Sequence, residues 1–159
     1  MPVVIDGYNL LRSIQKRSEE FESLSDVQLC KVIGRYLKLI GENGEMIFDG
    51  IGPPDKSGFD NISNLEVFFV GTNTDADAVI EDKIRANTAP KRLLVVSSDQ
   101  RLRRSARARK AMTEKSEVFW DDVQKRLSRK GGTKEPPGKR HGLSESETEQ
   151  WLKFFGFEE

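Results

Sequence analysis

Short runs of β-branched and aliphatic residues recur along this chain, and an acid follows each one. Val3-Val4-Ile5 leads into Asp6, Met46-Ile47-Phe48 into Asp49, Val67-Phe68-Phe69-Val70 towards Asp75 and Asp77, and Leu93-Leu94-Val95-Val96-Ser97-Ser98 into Asp99. Continuous apolar runs of this length read as strands buried on both faces, the signature of a parallel sheet covered by helices. Segments of helical spacing separate them. The alternation predicts an α/β fold, a central parallel sheet of about five strands flanked by helices, with right-handed crossovers. The carboxyl ends of parallel strands share one edge of the sheet, where ligands bind. The acids are therefore expected to converge.

The elements follow from local signals. Residues 2–6 read as the first strand, broken by Gly7, with a short helix from Asn9 to about Arg17. Ser25 and Gln28 form a capping box, and Val27, Cys30, Ile33, Leu37 and Ile40 then recur at helical spacing until Gly41 stops the helix. Residues 45–48, 65–70 and 92–97 read as strands two to four. Helices are expected from Asp75 to about Thr88, closed by Pro90, and from Asp99 to Ala111. Glu117-Val118-Phe119 reads as a short fifth strand before a last helix to about Arg129. Residues 1–130 thus form one predicted domain. Residues 131–142, with Gly131-Gly132 and Pro136-Pro137 among basic residues, read as a flexible linker. Residues 143–159 resume helical character, capped by Ser144 and Glu147, with Trp151, Phe154 and Phe155 on an aromatic face expected to dock on the main domain. A protein partner for that helix is possible but not indicated.

The formal charge of zero hides an asymmetry. Residues 1–90 carry 9 basic and 15 acidic side chains, residues 91–141 carry 16 and 6, and residues 142–159 carry 1 and 5. An acidic half followed by a basic one suits an enzyme that binds a polyanion beside a metal centre, although three solvated faces give the same numbers. The single cysteine, Cys30, rules out an intramolecular disulfide, and its helical position predicts a buried thiol. Met1-Pro2 runs directly into strand-like sequence, and no apolar run approaches a membrane span, so a cytoplasmic, non-membrane protein without a signal peptide is expected.

The residues that are missing narrow the chemistry. The only histidine, His141, falls in the basic linker, which removes paired-histidine, triad and histidine-zinc mechanisms. Neither a Walker loop nor GxGxxG is present. Carboxylates remain. Clustered carboxylates repel, and a hard divalent cation such as Mg2+ or Mn2+ relieves that repulsion. Asp6 directly after a buried run is costly unless solvated, paired or metal-bound, and Asn9 is placed to orient it. An Asp-Gly turn with Asn9 as a helix cap explains the same residues. Asp75 and Asp77 both lie at a helix start, where acids suit the dipole, and Asp99 suits an N-cap. Asp77 and Glu81 lie four residues apart, which sets like charges side by side unless they share a cation. Asp49 is either a turn residue or an outer ligand. Arg101, Arg103, Arg104, Arg107, Arg109 and Lys110 make the helix after Asp99 strongly basic, with no acid among them, and point to phosphate contacts, against the alternative of a solvated surface helix. Tyr8 is a candidate to stack on a base, against the commoner alternative of a tyrosine packed beside the turn.

These motifs together resemble a known family. Val-Ile-Asp-Gly-Tyr-Asn at 4–9, Ile-Phe-Asp-Gly at 47–50, Asp-Ala-Asp-Ala-Val-Ile-Glu at 75–81 and Val-Val-Ser-Ser-Asp at 95–99 are similar to the NYN domain, specifically its YacP-like branch, within the PIN-like nuclease superfamily. The resemblance covers roughly residues 1–130. It implies a Rossmannoid sheet of PIN-like order and a Mg2+- or Mn2+-dependent endoribonuclease. The family's strand-one, helix-start and strand-four aspartates map to Asp6, Asp77 and Asp99, with Glu81 one turn beyond Asp77. Asp75 departs from the pattern as an extra acid, and either Asp75 or Asp77 could be the closer ligand. Asp6, Asp77 and Asp99, with Asn9, are then the expected catalytic residues, Asp49, Asp75 and Glu81 the additional metal candidates, and single-stranded RNA the expected partner of Arg101, Arg103, Arg104, Arg107 and Tyr8. The choice of RNA over DNA comes from the resemblance alone. Three other readings compete: a non-catalytic RNA-binding module of the same fold, a phosphatase of the haloacid dehalogenase type, and a scaffold acting through its C-terminal helix. Tyr8 stands where the phosphatase pattern needs a second aspartate.

Overall fold

The computed structural model describes residues 1–131 other than Ser18. Five strands, β1 (Val3–Asp6), β2 (Gly44–Phe48), β3 (Leu65–Phe69), β4 (Leu94–Val96) and β5 (Met112–Glu114), form one sheet in the order β3-β2-β1-β4-β5. Every pairing is parallel. Five helices accompany them: α1 (Gly7–Arg17), α2 (Asp26–Ile40), α3 (Ala76–Ala86), α4 (Gln100–Ala108) and α5 (Ser116–Gly131). The expected linker and C-terminal helix lie outside the described residues.

The centre of the sheet explains the apolar runs. All four residues of β1 are buried, whereas the edge strand β3 exposes alternate residues. One core packs α1, α2 and α5 against one face through Ile5, Leu10, Ile33, Phe48 and Phe119. The second packs α3 and α4 on the other face through Val4, Ile47, Ile80, Val95 and Leu102. Cys30 is fully buried in the first core, and burial pushes its thiol well above the usual range.

Local signals acted as expected in α2. Ser25 Oγ accepts from the Gln28 N–H at 3.1 Å, and Gln28 Oε1 accepts from the Ser25 N–H at 2.9 Å. Gly41 closes the helix at φ 72°, in the left-handed region that glycine enters without strain. Gly7 has a different role. A Cβ there would sit 2.5 Å from the Phe48 ring, so only glycine lets α1 begin directly after Asp6.

The fifth strand lies elsewhere than predicted. Residues 117–119 belong to α5, and β5 is Met112–Glu114. Phe119, Trp120, Val123 and Leu127 are all buried, a helical stripe that a three-residue window around Val118 does not reveal. Val118 itself is 51 % exposed. The helix expected to run to Thr88 ends at Ala86, with Asn87 as its cap, and Pro90 opens a separate 3-10 turn.

Candidate active site

The strand order reverses between β1 and β4, because the chain builds β1-β2-β3 outward in one direction and β4-β5 in the other. The crevice beyond the carboxyl ends of those two strands is the natural ligand site of such a sheet. Asp6 ends β1 on one side of it, and Asp99 follows β4 on the other. A cleft of about 350 Å³ there is lined by Asp6, Asp49, Asp77 and Asp99 together with Tyr8 and Asn9.

Asp6 is 7 % exposed. Its pKa is pushed up to about 7, first by burial and then by the nearby Asp77, Asp49 and Asp99, against a hydrogen bond from Ser97 that favours the charged form. Ser97 Oγ donates to Asp6 Oδ2 at 3.0 Å and accepts from the Asp99 N–H at 3.0 Å, so one buried hydroxyl links the two strand ends. Asp77 is half-buried, and burial raises its pKa too, with Asp99 and Asp75 adding to the effect.

Three acids are also structural braces. Asp99 Oδ1 accepts the Arg101 N–H at 2.8 Å and caps α4. Asp49 Oδ1 accepts the Ala76 N–H at 2.6 Å, which ties the end of β2 to the first turn of α3 and so locates Asp77. Asp75 Oδ1 accepts the Ala78 N–H at 2.7 Å as the N-cap of α3. Capping uses Asp75, which is exposed and off the cleft wall, and leaves Asp77 as the acid of that pair lining the cleft. Asn9 Oδ1 accepts both the Ser98 N–H at 3.0 Å and Ser116 Oγ at 2.7 Å. It holds the loop before Asp99 and is not hydrogen-bonded to Asp6.

Glu81 is engaged elsewhere. It accepts from Arg101 Nη2 at 2.6 Å and from Ser105 Oγ at 2.8 Å, contacts that lower its pKa. Those contacts also alter the reading of α4 as a row of unpaired cations. Arg101 is committed to Glu81, Arg109 donates to the Arg85 carbonyl at 3.1 Å, and Arg103 is buried rather than presented to solvent. Arg104 and Arg107 remain exposed. The burial of Arg103 follows from its place beside Leu102 and Ala106 on the inner side of α4, which six cations in ten residues did not betray. Conversely, the cleft wall formed by α1 brings in Arg12, Ser13 and Lys16, which the sequence reading passed over. Their signal was available: Arg12 and Lys16 lie four residues apart on the helix predicted from Asn9 to about Arg17.

The donor set of the cleft is entirely oxygen, and Asp6 Oδ1, Asp49 Oδ2 and Asp99 Oδ2 carry no hydrogen bond among the described residues. That chemistry suits a hard divalent cation. As they stand, no three His, Cys, Asp or Glu side chains among the described residues are arranged to hold a metal ion.

Comparison with known proteins decides the family. The profile of the YacP-like NYN domain matches residues 3–155. The chain belongs to the YacP-like NYN domain family, a branch of the PIN-like nuclease superfamily. The crystal structure of Rae1 (YacP) from Bacillus subtilis is similar in fold, with TM-score 0.65 and 20 % identity over 81 % of this chain and 76 % of that one. Its W164L mutant matches with TM-score 0.59 and 18 % identity over 83 % and 82 %. No curated protein sequence matches. No helix among the described residues is long and apolar enough to cross a membrane.

Proposed function

We propose that this YacP-like NYN domain is a divalent-metal-dependent endoribonuclease that hydrolyses phosphodiesters of single-stranded RNA in the cytoplasm. The observation that carries the proposal is the convergence of Asp6, Asp49, Asp77 and Asp99 on one cleft at the switch point of the sheet, with Asp6 buried among the other three. Folding places repelling charges together here at a cost, which a bound cation offsets. Membership of a nuclease superfamily supports the reaction class.

Asp6, Asp77 and Asp99 would hold Mg2+ or Mn2+, with Asp49, which lines the same cleft, and Asp75 as further candidates. When bound, the cation supplies a more acidic water and offsets the charge that grows on the phosphate. Asp6 keeps its proton up to a pH of about 7, so cation and proton compete for it and metal affinity weakens as pH falls. Asn9 positions the loop that carries Asp99, and Asp49 positions the turn that carries Asp77. Attack by water, rather than by a 2′-hydroxyl, leaves a 5′-phosphate and a 3′-hydroxyl. Glu81, held by Arg101 and Ser105, fixes α3 to α4 in this reading and is the least available of the candidate ligands.

The test is cleavage of a labelled single-stranded RNA with Mg2+ or Mn2+, comparing wild type, Asp6→Asn, Asp77→Asn and EDTA. Metal-dependent cutting lost in the variants and in EDTA supports the proposal. A second reading, an RNA-binding module without turnover, draws on the lack of a ready-made metal arrangement among the described residues. Tight, salt-sensitive binding without cutting would select it.

A further inference from the structure

The acids of the cleft repel a phosphodiester, so something else must hold the strand against them. The cations on α4 are poorly placed for this: Arg101 is paired with Glu81, Arg103 is buried, and neither Arg104 nor Arg107 lines the cleft. The opposite wall differs. Arg12 and Lys16 line the same cleft as the acids, both are exposed, and neither makes an ion pair among the described residues. Arg17, the next cation, is committed to α5 through the Glu117 carbonyl at 2.9 Å and Asp121 at 3.0 Å. Tyr8, Arg12 and Lys16 follow one another at intervals of four residues, so they share one face of α1. The helical rise separates consecutive members by about 6 Å along the axis, a step comparable to that between successive phosphates of an extended strand. The Tyr8 ring is packed rather than free to take a base: it lies 4.6 Å from the Phe48 ring, and the Arg12 guanidinium sits over it, 5.8 Å from its centre, while Ser13 adds a hydroxyl to the wall.

We propose that α1 is the track for the RNA strand flanking the scissile phosphate, with Arg12 and Lys16 on successive phosphates. This assignment rests on the nuclease reading for the position of the scissile bond. The track itself requires only binding. Charge therefore changes sign along one cleft, from the carboxylates at the start of α1 to the cations one and two turns along it, which sets the direction in which the strand lies.

The experiment is a fluorescence-anisotropy titration of a labelled single-stranded RNA in EDTA over a range of salt concentrations, so that no cutting intervenes. The variants are Arg12→Ala/Lys16→Ala, the conservative pair Arg12→Lys/Lys16→Arg, and a control, Lys91→Ala/Arg92→Ala. The control removes the same charge from exposed positions before β4, at the opposite edge of the sheet. Loss of two phosphate contacts should lower the slope of log affinity against log salt by about 1.4 and weaken low-salt binding on the order of tenfold. The conservative pair and the control should keep the wild-type slope. Wild-type binding by Arg12→Ala/Lys16→Ala, equal weakening by the control, or no salt-dependent binding by the wild type overturns the track. A wild type that binds through these residues yet never cuts with metal leaves the track standing and refutes only the nuclease reading. Cutting by the wild type together with unchanged binding by Arg12→Ala/Lys16→Ala refutes only the track.

Discussion

Replacing Asp6 by asparagine should stabilise the metal-free protein, and by an amount that depends on pH. In the folded chain, burial and three neighbouring carboxylates raise the Asp6 pKa from 3.8 to about 7. Between those values the folded state holds a proton that the unfolded state has released, so stability falls as pH rises through this window. Below about 4 both states are protonated and the effect vanishes. Above about 7 it is complete, and a shift of about three units corresponds to about 4 kcal/mol. Asparagine matches the shape, carries no charge, and retains an oxygen to accept from Ser97 Oγ. Urea unfolding followed by circular dichroism in EDTA would measure the difference. At pH 8 the variant should exceed wild type by up to about 4 kcal/mol, a midpoint shift of about 2 M for an m-value of about 2 kcal/mol/M. At pH 5 the gain should shrink to about 2 kcal/mol. A difference between the proteins that stays constant from pH 5 to pH 8 would refute the claim that Asp6 is held protonated by its surroundings. Adding Mg2+ or Mn2+ at pH 8 should then stabilise wild type, by about 2.7 kcal/mol at a hundredfold excess over Kd, and leave Asp6→Asn nearly unchanged.

The other expectations use separate contacts. Gly7→Ala should cost about 1–3 kcal/mol, because its Cβ has no room beside the Phe48 ring, and thermal unfolding will read it as a lowered Tm. Asn9→Ala strands the Ser98 N–H and the Ser116 hydroxyl, so a loss of about 1–3 kcal/mol in chemical denaturation should accompany slower cleavage. Asp77→Asn should reduce the cleavage rate on the order of a hundredfold, whereas Glu81→Gln should change it only a few-fold, since Arg101 and Ser105 already occupy Glu81. Comparable losses in the two variants would place Glu81 in the site after all.

Much of the fold was legible because its signals are short-range. The apolar runs marked four of the five strands, and Ser25, Gln28 and Gly41 bounded α2 by their own backbone geometry. The fifth strand was missed because Met112–Glu114 is a three-residue edge with little apolar content, while Phe119 and Trp120 acquire their meaning only against Phe21 and Tyr36 across the core. Asp6, Asp77 and Asp99 could be picked out one by one as acids near strand ends or helix starts. That they line one cleft depends on β1 and β4 being neighbours, a consequence of the order β3-β2-β1-β4-β5.

By itself, the sequence determined where four of the five strands lie, that Ser25, Asp75 and Asp99 cap helices, and that carboxylate rather than histidine chemistry is available, since these depend on neighbours within a few residues. Only the tertiary structure decided which acid of the Asp75–Asp77 pair lines the cleft, that Glu81 belongs to Arg101, that Arg103 is buried, and that α1 rather than α4 supplies the free cations beside the acids. The physical reason is one of range. A cap or a periodic stripe is written in consecutive residues, whereas the partner of a charge is set by the packing of elements far apart in the chain, as Glu81 and Arg101 are across β4 and the turn of α4.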